Sequence, residues 1–254
     1  MWNIGVIALN TFRENLRDKI LYNLLLFAVL LIGGSAVLGK LTIMEHDKIM
    51  IDAGLAAINM VGVAIATFVG IGLVSKEIER RTIYTIIARP IRRLDFLLGK
   101  YLGLVTTLAV NMAIMLLVYL AVLSFSHIPL HVSLLQAAQL MFLEMMIVTA
   151  TALLFSTFST PSLSAMLTVG LYVVGHLMSD LRGVADKSTS DMMKGIITGL
   201  YYICPNLEML NIKGQAAAGV SVMWSYQAIA TAYGLFYSAL LLAIACLIFE
   251  RRDF

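Results

Sequence analysis

Six long apolar stretches, each near the length of a bilayer-crossing helix, divide this chain into alternating apolar and polar segments. They run roughly over 20–38, 53–74, 101–125, 134–158, 162–181 and 228–249. Crossing about 30 Å of hydrocarbon takes roughly 20 helical residues. Backbone groups in lipid must be satisfied within the segment, and the strict alternation of a membrane barrel is missing. The pattern therefore predicts an all-α polytopic membrane protein, with one transmembrane domain over 1–254.

The polar intervals carry their own periodicity. Trp2, Val6, Leu9, Phe12 and Leu16 share one side of a helical wheel, with Asn3, Asn10, Glu14 and Arg17 largely off it. Such a segment predicts a helix lying in the membrane interface. Residues 75–100, SKEIERRTIYTIIARPIRRLDFLLGK, start as a helix, break at Pro90 and restart toward the next span. The segment 182–227 predicts a short helix from Met192 to Ile203, capped by Ser190 or Asp191 and ended by Pro205. It is too short to span, so a re-entrant or interfacial helix is expected. Trp224 and Tyr226 sit where an aromatic belt would precede the last span. The connection Ser156–Pro161 carries no charge at all.

Composition agrees with a lipid solvent. Of 254 residues, 60% are hydrophobic and 13% charged, against about 25% charged in soluble domains. Mean hydropathy is +0.91. The net charge of +3 does not point to nucleic acid, because the cations flank apolar runs. Six spans put both termini on one side. Twelve Lys and Arg then share the face of the termini and six the other, with seven of the twelve in 75–100. The positive-inside bias predicts cytoplasmic termini and a cytoplasmic loop at 75–100 in a multi-pass protein of the inner membrane. Cys204 and Cys246 lie in different regions, so no disulfide framework is expected. The N-terminus lacks a compact apolar core with a small-residue cleavage site, so no cleaved signal peptide is expected.

A phosphate-binding loop needs Gly-x-x-x-x-Gly-Lys followed by Ser or Thr. Gly99-Lys100 is followed by Tyr101 and lacks the upstream glycine. The chain therefore carries no ATP site of that kind and no predicted cofactor or metal. In the 75–100 loop, Glu77, Glu79, Arg80, Arg81 and Tyr84 crowd one or two turns with groups able to make charge-assisted bonds. Ile83, Ile86 and Ile87 give the same helix an apolar side, which suits a docking surface.

Glu144 lies near the middle of the fourth span, where an ionised carboxylate costs roughly 2.5–3.5 kcal/mol on insertion scales. It should face protein or water, or be protonated. It reads either as part of a substrate path or as a buried carboxyl tying two helices together. His176 and Asp180, four apart, share a helix face as a hydrogen-bonded pair or as two ligands short of a third. Asn59 and Asn111 are expected to bond across helices.

The loop resembles that of ABC-2-type transporter permeases. Their pattern of Glu-x-Glu-basic, Thr, an apolar stretch, then Pro, basic residues and Gly-Lys is matched by Glu77, Glu79, Arg80, Thr82, Pro90, Arg92, Arg93 and Gly99-Lys100. It departs at Arg81 and Tyr84, where many members carry Gly and Glu. The ending Phe249, Arg251, Arg252, Asp253 also resembles the family's. The segment CPNLEMLNIKGQAA at 204–217 is similar to the outer segment of the branch linked to multicopper-enzyme maturation, including nitrous-oxide-reductase accessory permeases. The resemblance implies a permease that pairs with itself or a related chain. It implies a separate ABC ATP-binding subunit, holding ATP and magnesium, docked on a coupling helix from Lys76 to about Ile87. That helix includes Lys76, Glu77, Glu79, Arg80, Arg81, Thr82 and Tyr84, with the interfacial helix as a second contact. Rival readings are a membrane-embedded enzyme using Glu144, His176 and Asp180, or an ion-coupled secondary transporter. Neither accounts for the elaborate loop. No HExxH, GxSxG or internal repeat appears.

Overall fold

The computed structural model describes residues 2–40, 45–79, 93–187 and 191–251. Every regular element among them is helical. In chain order these are α1 (Trp2–Leu16), α2 (Lys19–Lys40), α3 (His46–Glu79), α4 (Arg93–Phe125), α5 (Val132–Ser156) and α6 (Pro161–Lys187). They are followed by α7 (Asp191–Ile203), a 3-10 turn (Leu207–Leu210), α8 (Lys213–Ala217) and α9 (Trp224–Arg251). Helices α2 to α6 and α9 are long and apolar enough to cross a membrane, as the apolar runs predict.

The helices outrun the apolar stretches at their polar ends. Helix α3 continues through Lys76 to Glu79, and α6 runs on to Lys187. A helix already nucleated in lipid adds each further residue at little cost, so hydropathy marks the membrane crossing and not the helix end. Alternating traverses put the connections before α3, before α5 and between α6 and α9 on one face. The termini and the other connections lie on the opposite one. We call these the distal and terminal faces.

Two helices form the centre. About three quarters of the spans of α3 and α5 are buried, against 22% for α2 and α6. Close approach needs small residues, because lipid tails are as apolar as Leu and only packing rewards contact. Met145 of α5 lies on the bare Cα of Gly62, and Ala152 on that of Gly70. The Tyr119 ring of α4 covers Gly54, and its hydroxyl donates to the Ile51 carbonyl at 3.1 Å. The uncharged turn between α5 and α6 satisfies itself. The Ser156 and Thr157 hydroxyls donate back to the Leu153 and Leu154 carbonyls at 2.7 Å, and the Ser159 and Ser164 hydroxyls bond each other at 2.7 Å.

Helix α1 docks on the first turns of α4. Gly99 and Gly103, four apart, form a groove in which Ile7, the Ala8 carbonyl and Thr11 sit. One turn further, the Asn15 amide donates to the Thr107 hydroxyl at 3.1 Å. Lys100 beside this groove is buried, with Glu14 3.7 Å away and the Phe96 ring beneath it. The docked face is thus small and polar. Val6 and Leu9, from the apolar side expected to meet lipid, remain exposed.

The distal segment folds back onto the bundle. Helix α7 ends before Pro205 as predicted. The chain then drops Leu207 and Leu210, both fully buried, between the spans. The Leu207 side chain lies on Gly175 of α6. The backbone of Val222 is bonded in both directions to the Gln136 side chain of α5, each at 3.1 Å.

Candidate functional site

The folded-back segment completes a polar cluster inside the bundle. Glu144 comes from the middle of α5, Asn59 from α3, and Tyr172 and His176 from successive turns of α6. Glu208 comes from the 3-10 turn and Asn211 from just after it. Glu144 is 0% exposed and is the one ionisable side chain in α5.

His176 links two carboxyl groups. Its Nε2 lies 2.8 Å from Glu144 Oε1 and its Nδ1 3.2 Å from Glu208 Oε2. The Asn211 amide donates to both Glu208 oxygens, at 3.2 and 3.1 Å. The Asn59 amide reaches Glu144 Oε1 at 3.4 Å and the Tyr172 hydroxyl at 3.3 Å. The Tyr172 and His176 rings meet edge to face, with centroids 4.8 Å apart. Two buried acceptors, Glu144 Oε2 and Asn59 Oδ1, have no protein partner. Side-chain exposure rises from 0% at Glu144 through 17% at His176 to 38% at Glu208. The cluster is a chain of acid and base groups leading from the bundle interior toward the distal face.

Of the residues singled out from the sequence, Glu144 and His176 come together. Asp180 does not join them. It is exposed, one turn further along α6, and both ring nitrogens of His176 are taken by glutamates. The expected His176–Asp180 pair is therefore corrected to a bridge between α5 and the 3-10 turn. Asn59 does bond across helices, as expected. Asn111 instead donates to the Thr107 carbonyl of its own helix at 2.8 Å. Gln136, Gln139, Thr149 and Thr151, close to Glu144 in sequence, donate their hydrogen bonds elsewhere: to α9 and its approach, or to their own helix. Glu208, Asn211 and Tyr172 were not singled out. Only the pairing of Leu207 and Leu210 around Glu208 hints that this turn is buried.

The docking residues divide. Lys76, Glu77 and Glu79 occupy the terminal-face end of α3, continuous with the central span. Arg80, Arg81, Thr82 and Tyr84, with Pro90, lie outside the described residues.

Residues 6–254 match the family model for the ABC-2 family transporter protein. The chain belongs to the ABC-2 transporter family. No curated protein matches its sequence. For this ABC-2 family member, the match spans all six membrane-crossing helices and the distal segment together. The cluster around Glu144 thus lies within an ABC-2 membrane domain.

Proposed function

We propose that this chain is the permease subunit of an ATP-binding-cassette transporter. It would move a substrate across the cytoplasmic membrane with ATP hydrolysed by a separate subunit. The observation that carries this reading is the unbroken course of α3. The most buried span in the bundle projects past its apolar stretch as Lys76–Glu79, the start of the mixed-charge loop. A partner gripping that end would act on the core directly. Helix α1, seated in the groove of Gly99 and Gly103, offers a second contact on the same face.

On this reading the terminal face is cytoplasmic, and Lys76, Glu77, Glu79, Arg80, Arg81, Thr82 and Tyr84 meet the ATPase. Two permease chains, identical or related, pair in the membrane. Glu144 and His176, with Asp180 a turn further toward the distal face, line the substrate route. The resemblance of 204–217 supports a place near the branch linked to multicopper-enzyme maturation. Engagement of both His176 nitrogens disfavours the rival reading as a hydrolase, which would need that imidazole as a base.

Co-purification is the test. A separate ATP-binding protein should accompany the full chain from the membrane. Combining Glu77→Arg with Arg80→Glu should weaken its retention without loss of the membrane protein. Stoichiometric ATPase activity from this chain alone would overturn the division of labour.

A further inference from the structure

We propose that Glu144, His176 and Glu208 form a proton-binding site that fastens α6 and the distal 3-10 turn to α5. It exchanges its proton with water on the distal face. Each ring nitrogen of His176 faces a carboxyl oxygen at hydrogen-bonding distance, 2.8 Å on one side and 3.2 Å on the other. Each such contact needs a proton between its two atoms. A neutral imidazole supplies only one, leaving its other nitrogen lone pair against an oxygen lone pair. Two carboxylates and a neutral imidazole therefore cannot make both bonds. The trio must hold one proton more.

The neighbours say where that proton can sit. Asn211 donates to both oxygens of Glu208, which keeps that carboxylate an ionised acceptor. The extra proton then belongs to the 2.8 Å contact, as an imidazolium beside ionised Glu144 or as a neutral Glu144 donating to His176. The trio carries one net negative charge either way. The other groups facing it are few. Asn59 comes from α3, and the Tyr172 hydroxyl, which interacts with Glu144 as well as with Asn59, belongs to α6 itself; Asp180 of α6 is exposed and one turn away. The Lys213 ammonium of α8 stands within electrostatic reach of the imidazole, and Tyr226 of α9 within reach of Glu208. Glu144 Oε2 is fully buried with no donor at hydrogen-bonding distance, and the Tyr172 hydroxyl stands within electrostatic reach of this carboxyl.

The rise in exposure along the trio gives the proton a way out. It passes from the 2.8 Å contact through the imidazole to Glu208, and from there to water. Once it leaves, one of the two contacts opposes lone pair to lone pair and opens. The cluster holds cross-helix polar ties of α6 to both α5 and α3: His176 to Glu144, and Tyr172 to Asn59. Helix α6 is among the least buried spans. Proton loss therefore loosens α6 and the turn that covers it. This inference stands whether or not an ATPase docks at α3.

The test compares wild type, Glu144→Gln and Glu208→Gln in the full chain, unfolded from mild micelles by a denaturing detergent between about pH 5 and about pH 9. Either glutamine can donate its amide hydrogen to the facing ring nitrogen, so both bonds form without the extra proton. The ratio of wild-type to variant folding constant should fall as pH rises, by up to about tenfold per pH unit where the folded wild-type site keeps a proton that the variant site does not, and level off once the wild-type site has released it. The ratio isolates this trio, because all other titrating groups are common to both chains. A ratio that is flat across the range for either variant overturns the proposal. Glu208 is partly exposed, so Glu208→Gln keeps the test available if Glu144→Gln fails to insert.

Discussion

Leu207 rests on the bare Cα of Gly175, with the Pro205 carbonyl beside it. A Cβ at Gly175 would lie 2.8 Å from Leu207 Cγ and 2.9 Å from that carbonyl oxygen. The glycine is therefore the seat for the distal turn, one residue before the histidine that binds it.

Gly175→Ala should destabilise the chain by about 1–3 kcal/mol through overpacking. Leu207→Ala alone should cost about 2–5 kcal/mol from the space it vacates. The double variant should cost less than the sum, because the truncated leucine leaves room for the new methyl. Detergent unfolding of the four chains measures the coupling. Strict additivity would mean the two residues do not share this contact.

The groove on α4 makes a separate prediction about α1. A Cβ at Gly103 would lie 2.6 Å from both the Ala8 carbonyl oxygen and Thr11 Cβ. Helix backbone cannot yield there as a flexible side-chain tip could. Gly103→Val should lift α1 from its seat and expose the backbone around Arg13 and Arg17, both already at the surface. Trypsin should then cut at these residues markedly faster than in wild type. The gain is about tenfold for each 1.4 kcal/mol by which docking weakens. Asn15→Ala should act in the same direction but more weakly, by about 0.5–1.5 kcal/mol, since Thr107 keeps its bond to the Gly103 carbonyl. Unchanged cleavage in Gly103→Val would show that α1 does not depend on this groove.

The two cysteines report the orientation. Cys204 lies in the distal segment, half-buried, whereas Cys246 is buried near the terminal end of α9. Burial pushes the Cys204 thiol up from its ordinary pKa. The reactive thiolate is therefore scarce at neutral pH and grows as pH rises. On intact cells, a membrane-impermeant maleimide should label the chain slowly at neutral pH and faster in mild alkali. Cys204→Ser should abolish the signal. Labelling only after the membrane is opened would invert the proposed topology.

How much of this was legible in the sequence follows from which forces leave a periodic trace. Lipid demands long apolar runs, so the six spans could be read, and Glu144 stood out as a carboxyl in the wrong solvent. Its partner could not be read the same way. His176 is 32 residues from both Glu144 and Glu208, and nothing in spacing says that a 3-10 turn folds back between spans. Asp180 looked the better partner because helical spacing sees only its own helix. The seat of α1 escaped for a related reason. Hydrophobic periodicity picks out Val6 and Leu9, which stay exposed, whereas docking uses Ile7 and Thr11 against glycines and Asn15 against Thr107. Gly99 and Gly103 have the spacing of a small-residue pair, but that spacing does not name the helix that fills the groove.

The 34 residues of α3 make a rod about 50 Å long, well beyond the roughly 30 Å of hydrocarbon it crosses. Its two ends therefore lie beyond the hydrocarbon on opposite sides of the membrane, joined by one unbroken helix. Where a ligand at the Glu79 end and another at the His46 end each prefer one tilt of this helix, each changes the other's affinity by the same factor. Signals along this helix are thus obliged to run both ways.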